Sequence, residues 1–136
     1  MKINIVDLTI ENQDYRKVIY TGVDSQLVIM NIKPGEDIGE EMYQDVDQIT
    51  VIIEGKGELT MQGEENSAVS DNDLVFVSAG KYHNIENVGD TDLKLYTIYA
   101  PPEFQPNTIE EFNENSDKGF GEINKSVYGD DWENNY

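Results

Sequence analysis

The chain carries one histidine, His83, and no cysteine. Imidazole chemistry must therefore run through that residue, and thiolate ligands, thiol nucleophiles and disulfides are excluded. His83 stands in the stretch Asn72-Asp73-Leu74-Val75-Phe76-Val77-Ser78-Ala79-Gly80-Lys81-Tyr82-His83-Asn84-Ile85-Glu86-Asn87. An apolar run enters a Gly-centred turn and leaves as a second extended run carrying the histidine and, four residues on, an asparagine. Upstream lies a second polar group. Successive residues of a strand face opposite sides, so Glu41 and Tyr43 share a face. The turn over 44–47 reverses the chain, and Gln48 opens the partner strand pointing back to that face, alternating with Ile49, Val51 and Ile53. A carboxylate, a phenol and a carboxamide thereby form a three-group cluster. An imidazole titrates near neutrality and a desolvated carboxyl is raised toward it, so His83 and Glu41, once brought together, make a general acid and base pair.

The stretch 72–87 resembles the second motif of the cupin superfamily, in which a Gly opens the strand, a Pro and a Gly make the turn, a His points into the barrel as a metal ligand, and an Asn follows. Asn72 stands at the usual Gly and Ser78 at the usual Pro. Residues 35–57, from Gly35-Glu36-Asp37-Ile38-Gly39 through Ile49-Thr50-Val51-Ile52-Ile53-Glu54-Gly55-Lys56-Gly57, are similar to the first motif. There the family places a His, a second His two residues later and a Glu after four more, and this chain reads Glu41, Tyr43 and Gln48. The phrases Lys33-Pro34-Gly35-Glu36-Asp37-Ile38-Gly39, Asp45-Val46-Asp47-Gln48 and Leu93-Lys94-Leu95-Tyr96-Thr97-Ile98-Tyr99-Ala100-Pro101-Pro102 look like a subgroup of small single-domain bacterial cupins often called sugar-isomerase-like. Against that narrower template only Tyr43, where the subgroup has His, departs.

The resemblance implies an all-β, cupin-type antiparallel β-sandwich barrel (jelly roll), with Glu41, Tyr43, Gln48 and His83 as the metal-ligand set and Glu41 and His83 as the catalytic pair. A neutral phenol of pKa ~10 and an uncharged amide oxygen are poor ligands, so zinc, nickel and copper should be held weakly. The oxygen-rich set favours Mn, Mg or Ca. The expected cofactor is a weakly held divalent metal (Mn, Mg, Ca or Zn) or none. Tyr43, Tyr82, Tyr96 and Tyr99 are candidates to line a ligand pocket, where a ring stacks on a planar or sugar ligand and a hydroxyl orients it. The implied function is small-molecule binding, with isomerase-like action on a sugar or small carbonyl compound. The alternative is a metal-free ligand-binding or regulatory barrel without catalytic activity.

The elements that must position these groups are short β-rich runs separated by Gly, Asn and Asp turns, the pattern of an antiparallel sandwich or barrel. Strands are expected at 16–21, 26–33, 39–43, 48–54, 57–62, 74–77, 83–87 and 93–99, with 63–71 a loop or weak edge strand. Residues 1–15 read as an N-terminal arm whose first ten alternate like a strand, 16–102 as the barrel, and 103–136 as an acidic C-terminal extension. Thr108-Ile109-Glu110-Glu111 has the form of a capping box and predicts a short helix over 109–115. Beyond it, Phe120, Ile123, Val127, Tyr128, Trp132 and Tyr136 are apolar enough to pack on the barrel or on a neighbouring subunit. Gly55-Lys56-Gly57 is not a phosphate loop, since neither a helix nor a hydroxyl residue follows the lysine.

At 136 residues the chain has the length of one domain with its own core. Its formal charge of −19 repels phosphate backbones and anionic lipid surfaces, so nucleic acid and membrane are poor partners. No apolar run approaches the ~20 residues that span a bilayer. The chain reads as soluble and cytoplasmic, with a small-molecule ligand. A homodimer is expected through the strand-like residues 1–10.

Overall fold

Most of the strands alternate more and less buried side chains, and the buried faces of two sheets meet. The computed structural model describes residues 1–114. A helix α1 (Ile5–Glu11) is followed by β1 (Arg16–Thr21), β2 (Gln26–Ile32), β3 (Asp47–Glu54), β4 (Gly57–Met61), β5 (Ser67–Val69), β6 (Leu74–Val77), β7 (His83–Asn87), β8 (Leu93–Ala100) and β9 (Ile109–Glu110). The larger sheet runs β6-β3-β8-β2-β1-β9 and the smaller β5-β4-β7, with antiparallel pairing in both. Val28, Met30, Ile32, Ile52, Ile85, Leu93 and Leu95 fill the space between them. This is the jelly-roll barrel expected from the sequence.

Three elements depart from expectation. Residues 5–11 form a helix, where a strand-like arm was expected. Asn4 caps it by accepting from the Asp7 amide at 3.0 Å, and the more buried positions 5, 8, 9 and 12 follow the helical period. Two of those positions are polar, Thr9 and Asn12, so the helical stripe is easily missed. The helix packs on β2, β3 and β8, and at its C-terminal end Lys94 donates to the Asn12 carbonyl at 2.7 Å. The helix expected over 109–115 is replaced by β9, which pairs with Arg16 and Lys17 of β1. The open edge of β1 supplies a ladder, and the Thr108 hydroxyl turns back to the Gln105 carbonyl at 2.6 Å. The strand expected at 39–43 is reduced to a single bridge, Glu41 to His83. Gly39, with φ of 83°, breaks its regularity. The apolar positions after residue 114 lie outside the described residues.

Asn72 takes φ of 73°, a left-handed conformation that Asn tolerates, which accounts for its standing where the resemblance expects Gly. At Gly55, with φ of 112°, an added Cβ would lie 2.8 Å from the Asp92 carbonyl oxygen. That close approach is what requires the glycine.

Candidate functional site

The residues between Gly35 and Glu41 run beside β7, and at its start Glu41 and His83 exchange both backbone bonds, Glu41 N to His83 O at 2.8 Å and His83 N to Glu41 O at 2.9 Å. Such a pair stands directly opposite, so both side chains leave on the same face. Their tips meet inside the barrel, with His83 Nε2 3.7 Å from Glu41 Oε1. Each residue is only 2% exposed. Tyr43, two residues on from Glu41, is also buried, and its carbonyl is tied to the Gly80 amide at 2.9 Å. Gln48 is buried directly across the β3–β8 ladder from Tyr99 and shares its inward face. The rings of Tyr43 and Tyr99 meet edge to face at 6.1 Å.

Five of the seven residues singled out in the sequence are thus brought to one interior. The other two are not. Tyr96 is an odd number of positions from Tyr99 and falls on the opposite face of β8, and Tyr82 is exposed at the rim. There Tyr82 lines an open concavity of about 510 Å³ together with Glu40, Thr60, Met61, Gln62, His83 and Asn84.

The interior also holds groups that the motif reading did not find. Arg16 is buried with Nη2 3.3 Å from Glu41 Oε2 and Nη1 2.9 Å from Glu110 Oε1. Its ring neighbours are Tyr15, 5.1 Å from the guanidinium carbon, and Phe104, 4.7 Å from it. The signal was parity, since Arg16 lies in phase with the buried Val18 on β1. Glu103, Glu110 and Phe104 had no local signal, because residues far along the chain bring them here.

One guanidinium therefore faces three carboxyls. Glu110 is partly solvated and takes the shorter contact, leaving Glu41 a longer one in a dry setting. Burial raises the Glu41 pKa to about 8, against the opposing pull of Arg16. Burial likewise raises Glu103 to about 7, again opposed by Arg16. His83 goes the other way, pushed down to about 4 by burial, although backbone hydrogen bonding at Lys81 and Glu41 favours its charged form. Burial holds the Tyr43 and Tyr99 phenols well above their usual range. The two shifts of Glu41 and His83 run in opposite directions, toward a protonated carboxyl beside a neutral imidazole.

Three polar atoms around Glu41 are sealed from solvent and complete no hydrogen bond of full geometry among the described residues: Arg16 Nε, the Tyr43 hydroxyl and His83 Nδ1. The Tyr43 hydroxyl still lies near enough to Glu41 to favour its ionised form. Buried polar groups are rarely left so in native proteins.

The metal ion associated with the resembled family does not fit this set. Among the described residues no three His, Cys, Asp or Glu side chains gather to hold one. Arg16 already places a fixed cation against the only carboxylate of the expected ligand set, and the Tyr43 phenol is held further from ionisation than a free one.

Residues 28–99 match the family model for Cupin_2, described as a cupin domain. The "Uncharacterized protein YrkC" of Bacillus subtilis is 38% identical over 114 residues, which cover 80% of this chain and 61% of that protein. The crystal structure of BH2720 from Bacillus halodurans superposes with a TM-score of 0.80 at 36% identity, covering 82% of this chain and 88% of that one. The crystal structure of a predicted oxalate decarboxylase from Thermotoga maritima gives a TM-score of 0.53 at 26% identity, covering 57% of this chain and 66% of that one. This chain spans less than two thirds of the length of YrkC.

Proposed function

The chain belongs to the Cupin_2 family of cupin domains, and from that premise we propose that it binds a small neutral carbonyl compound or sugar in its barrel, without a resident metal ion, and moves a proton on it. The observation that carries the reading is the set of three orphaned polar atoms around Glu41. Two of them can only donate or readily do so, and they suit a ligand oxygen. The pairing in the site supports a neutral ligand over an anion such as oxalate, since the Arg16 guanidinium is already engaged by Glu41 and Glu110.

The opposed directions of the pKa shifts support a division of roles between the two side chains. Neutral His83 accepts a proton from the carbon beside the carbonyl. Protonated Glu41 gives its proton to the carbonyl oxygen, leaving an enediol. Protonated His83 then delivers its proton to the former carbonyl carbon while ionised Glu41 takes the proton of the neighbouring enediol hydroxyl, which becomes the new carbonyl and completes an isomerisation. Both side chains end as they began.

Proton NMR of glyceraldehyde or dihydroxyacetone in deuterated water, with the protein present, tests this directly. Deuterium should enter the carbon next to the carbonyl, and Glu41→Gln or His83→Asn should remove the protein-dependent rate. Saturable binding without exchange would favour the metal-free binding barrel. No binding of either compound, nor of a panel of monosaccharides, would overturn the reading.

Assembly belongs to the same proposal. The outward face of the larger sheet carries Phe76, Ile49, Ile98 and Leu27 in one cross-strand row and Leu74, Val51 and Tyr96 in the next. Leu74 is 61% and Phe76 52% exposed. We assign this face to a homodimer.

A further inference from the structure

Residues 101–107 leave β8 and pass over the interior before the chain returns along β1 as β9. Their central side chain, Phe104, lays its ring edge to face against Tyr99 at 5.2 Å and Tyr43 at 6.4 Å, and it lies 4.7 Å from the Arg16 guanidinium. It therefore sits on the groups that surround Glu41. Yet among the described residues this stretch makes no backbone-to-backbone bond to a barrel strand before Thr108, whose carbonyl accepts from Val18 N at 2.9 Å. Its middle is held by a single side chain. Gln26 Oε1 accepts from the amides of Glu103 at 3.0 Å and Phe104 at 2.9 Å, and Gln26 Nε2 donates to the Phe104 carbonyl at 2.8 Å.

We propose that residues 101–107 are a gate over the barrel interior, with Phe104 as its plug and Gln26 as the latch that positions it. The inference rests on the reading above that the interior is the ligand site. The neighbouring strands are tied by backbone ladders, whereas the backbone of the gate is tied at its middle by three bonds from one carboxamide, beside the ring packing of Phe104, so it opens without unfolding the sheets. Gln26 itself is 1% exposed and its amide also donates to Thr21 Oγ1 at 2.9 Å, which keeps the latch in place when the gate swings. Asn107, with φ of 65°, stands at the far end of the stretch and marks where it turns back toward the barrel. The gate accounts for a site that is dry enough to shift Glu41 and His83 in opposite directions and still reachable.

Because His83 is the only histidine, its reaction with diethyl pyrocarbonate reports access to the interior without any ligand. In the full-length protein, Gln26→Leu should raise the rate of His83 modification by about tenfold or more, the scale of one lost hydrogen bond upward, with the far-ultraviolet spectrum retained. Phe104→Ala should raise it as well with the latch intact. An unchanged rate in both folded variants would overturn the gate and assign access to the rim concavity beside Tyr82. Should Gln26→Leu fail to fold, amide hydrogen exchange of the wild-type protein decides: the Glu103 and Phe104 amides should exchange faster than the β2 and β8 ladders, and equal protection would refute the proposal. Neither measurement uses glyceraldehyde, dihydroxyacetone or a sugar, and neither reads isomerisation, so failure of the isomerisation experiment would leave this result standing, and the reverse.

Discussion

Glu41 and His83 tie both stability and proton transfer to pH, with opposite signs. Glu41 has a folded pKa of about 8, far above its unfolded value, so the folded state holds a proton that the unfolded state releases. The associated stability is present at low pH and is lost as pH rises through 8. Glu103, raised to about 7, acts in the same direction. His83, lowered to about 4, costs stability when pH falls below the usual imidazole range toward 4. Above pH ~6.5 only the two acids act, so denaturant unfolding should show lower stability at pH 8.5 than at pH 6.5. A group binding one extra proton in the folded state contributes a slope of at most ~1.4 kcal/mol per pH unit, and Glu41→Gln should flatten the profile by about one such proton. An unchanged slope in the variant would mean that Arg16 keeps Glu41 ionised. Exchange catalysed by the pair should be confined to the window between about 4 and about 8, where His83 is neutral and Glu41 protonated. Zinc or manganese titrated in a calorimeter should show no tight site, and a chelator should leave the melting temperature unchanged. A ligand at ~1000 times its dissociation constant adds about 4 kcal/mol, so a resident metal could not escape that measurement.

At the scale of elements, the N-cap of α1 is a local bond in an exposed setting, and Asn4→Ala should cost about 1 kcal/mol in denaturant unfolding. Thr108→Ala should cost much less if its hydroxyl serves only the Gln105 carbonyl, which separates the observed turn from the helix cap that its surrounding residues resemble. These two threonine and asparagine positions show what was legible. Strands β1, β6 and β7 begin and end where the alternation says, and β2, β3, β4 and β8 do so within one residue, because their side-chain periodicity is itself the cause of their burial. Residues 5–11 and 109–110 differ from the expectation because their local patterns are weak and a remote partner decides: Lys94 and the face of the larger sheet for the first, the free edge of β1 for the second. The site divides the same way. Glu41, Tyr43, Gln48 and His83 follow from strand parity and motif spacing, while Arg16 required asking why a cation alternates with Val18. The backbone of Glu103 and Phe104 is tied to the barrel through Gln26, across a separation of 77 and 78 residues, which no local pattern announces.

For the whole molecule the competing terms are a charge of −19 and an apolar sheet face on which, among the described residues, Leu74 and Phe76 stand exposed. Repulsion between two such chains reaches only about 8 Å at physiological ionic strength, whereas a standard interface buries about 800 Å² per partner. Contiguous apolar patches of that kind on a monomer mark interaction sites, so burial should win at ~0.15 M salt and lose ground as salt is removed. Residues 1–10 were expected to tie the subunits as a strand. As a capped helix packed on its own sheet, the segment offers no ladder edge to exchange, and its deletion should leave the assembly in place at some cost in stability. Placing a charge at the centre of the patch should be decisive, because Ile49→Asp would bury an unpaired carboxylate between two already acidic subunits. Light scattering should return twice the 15.4 kDa chain mass for the wild type and the single mass for Ile49→Asp. A wild-type monomer at micromolar concentration would refute the homodimer. A dimer that survives Ile49→Asp but not removal of residues 1–10 would return the interface to the N-terminal segment.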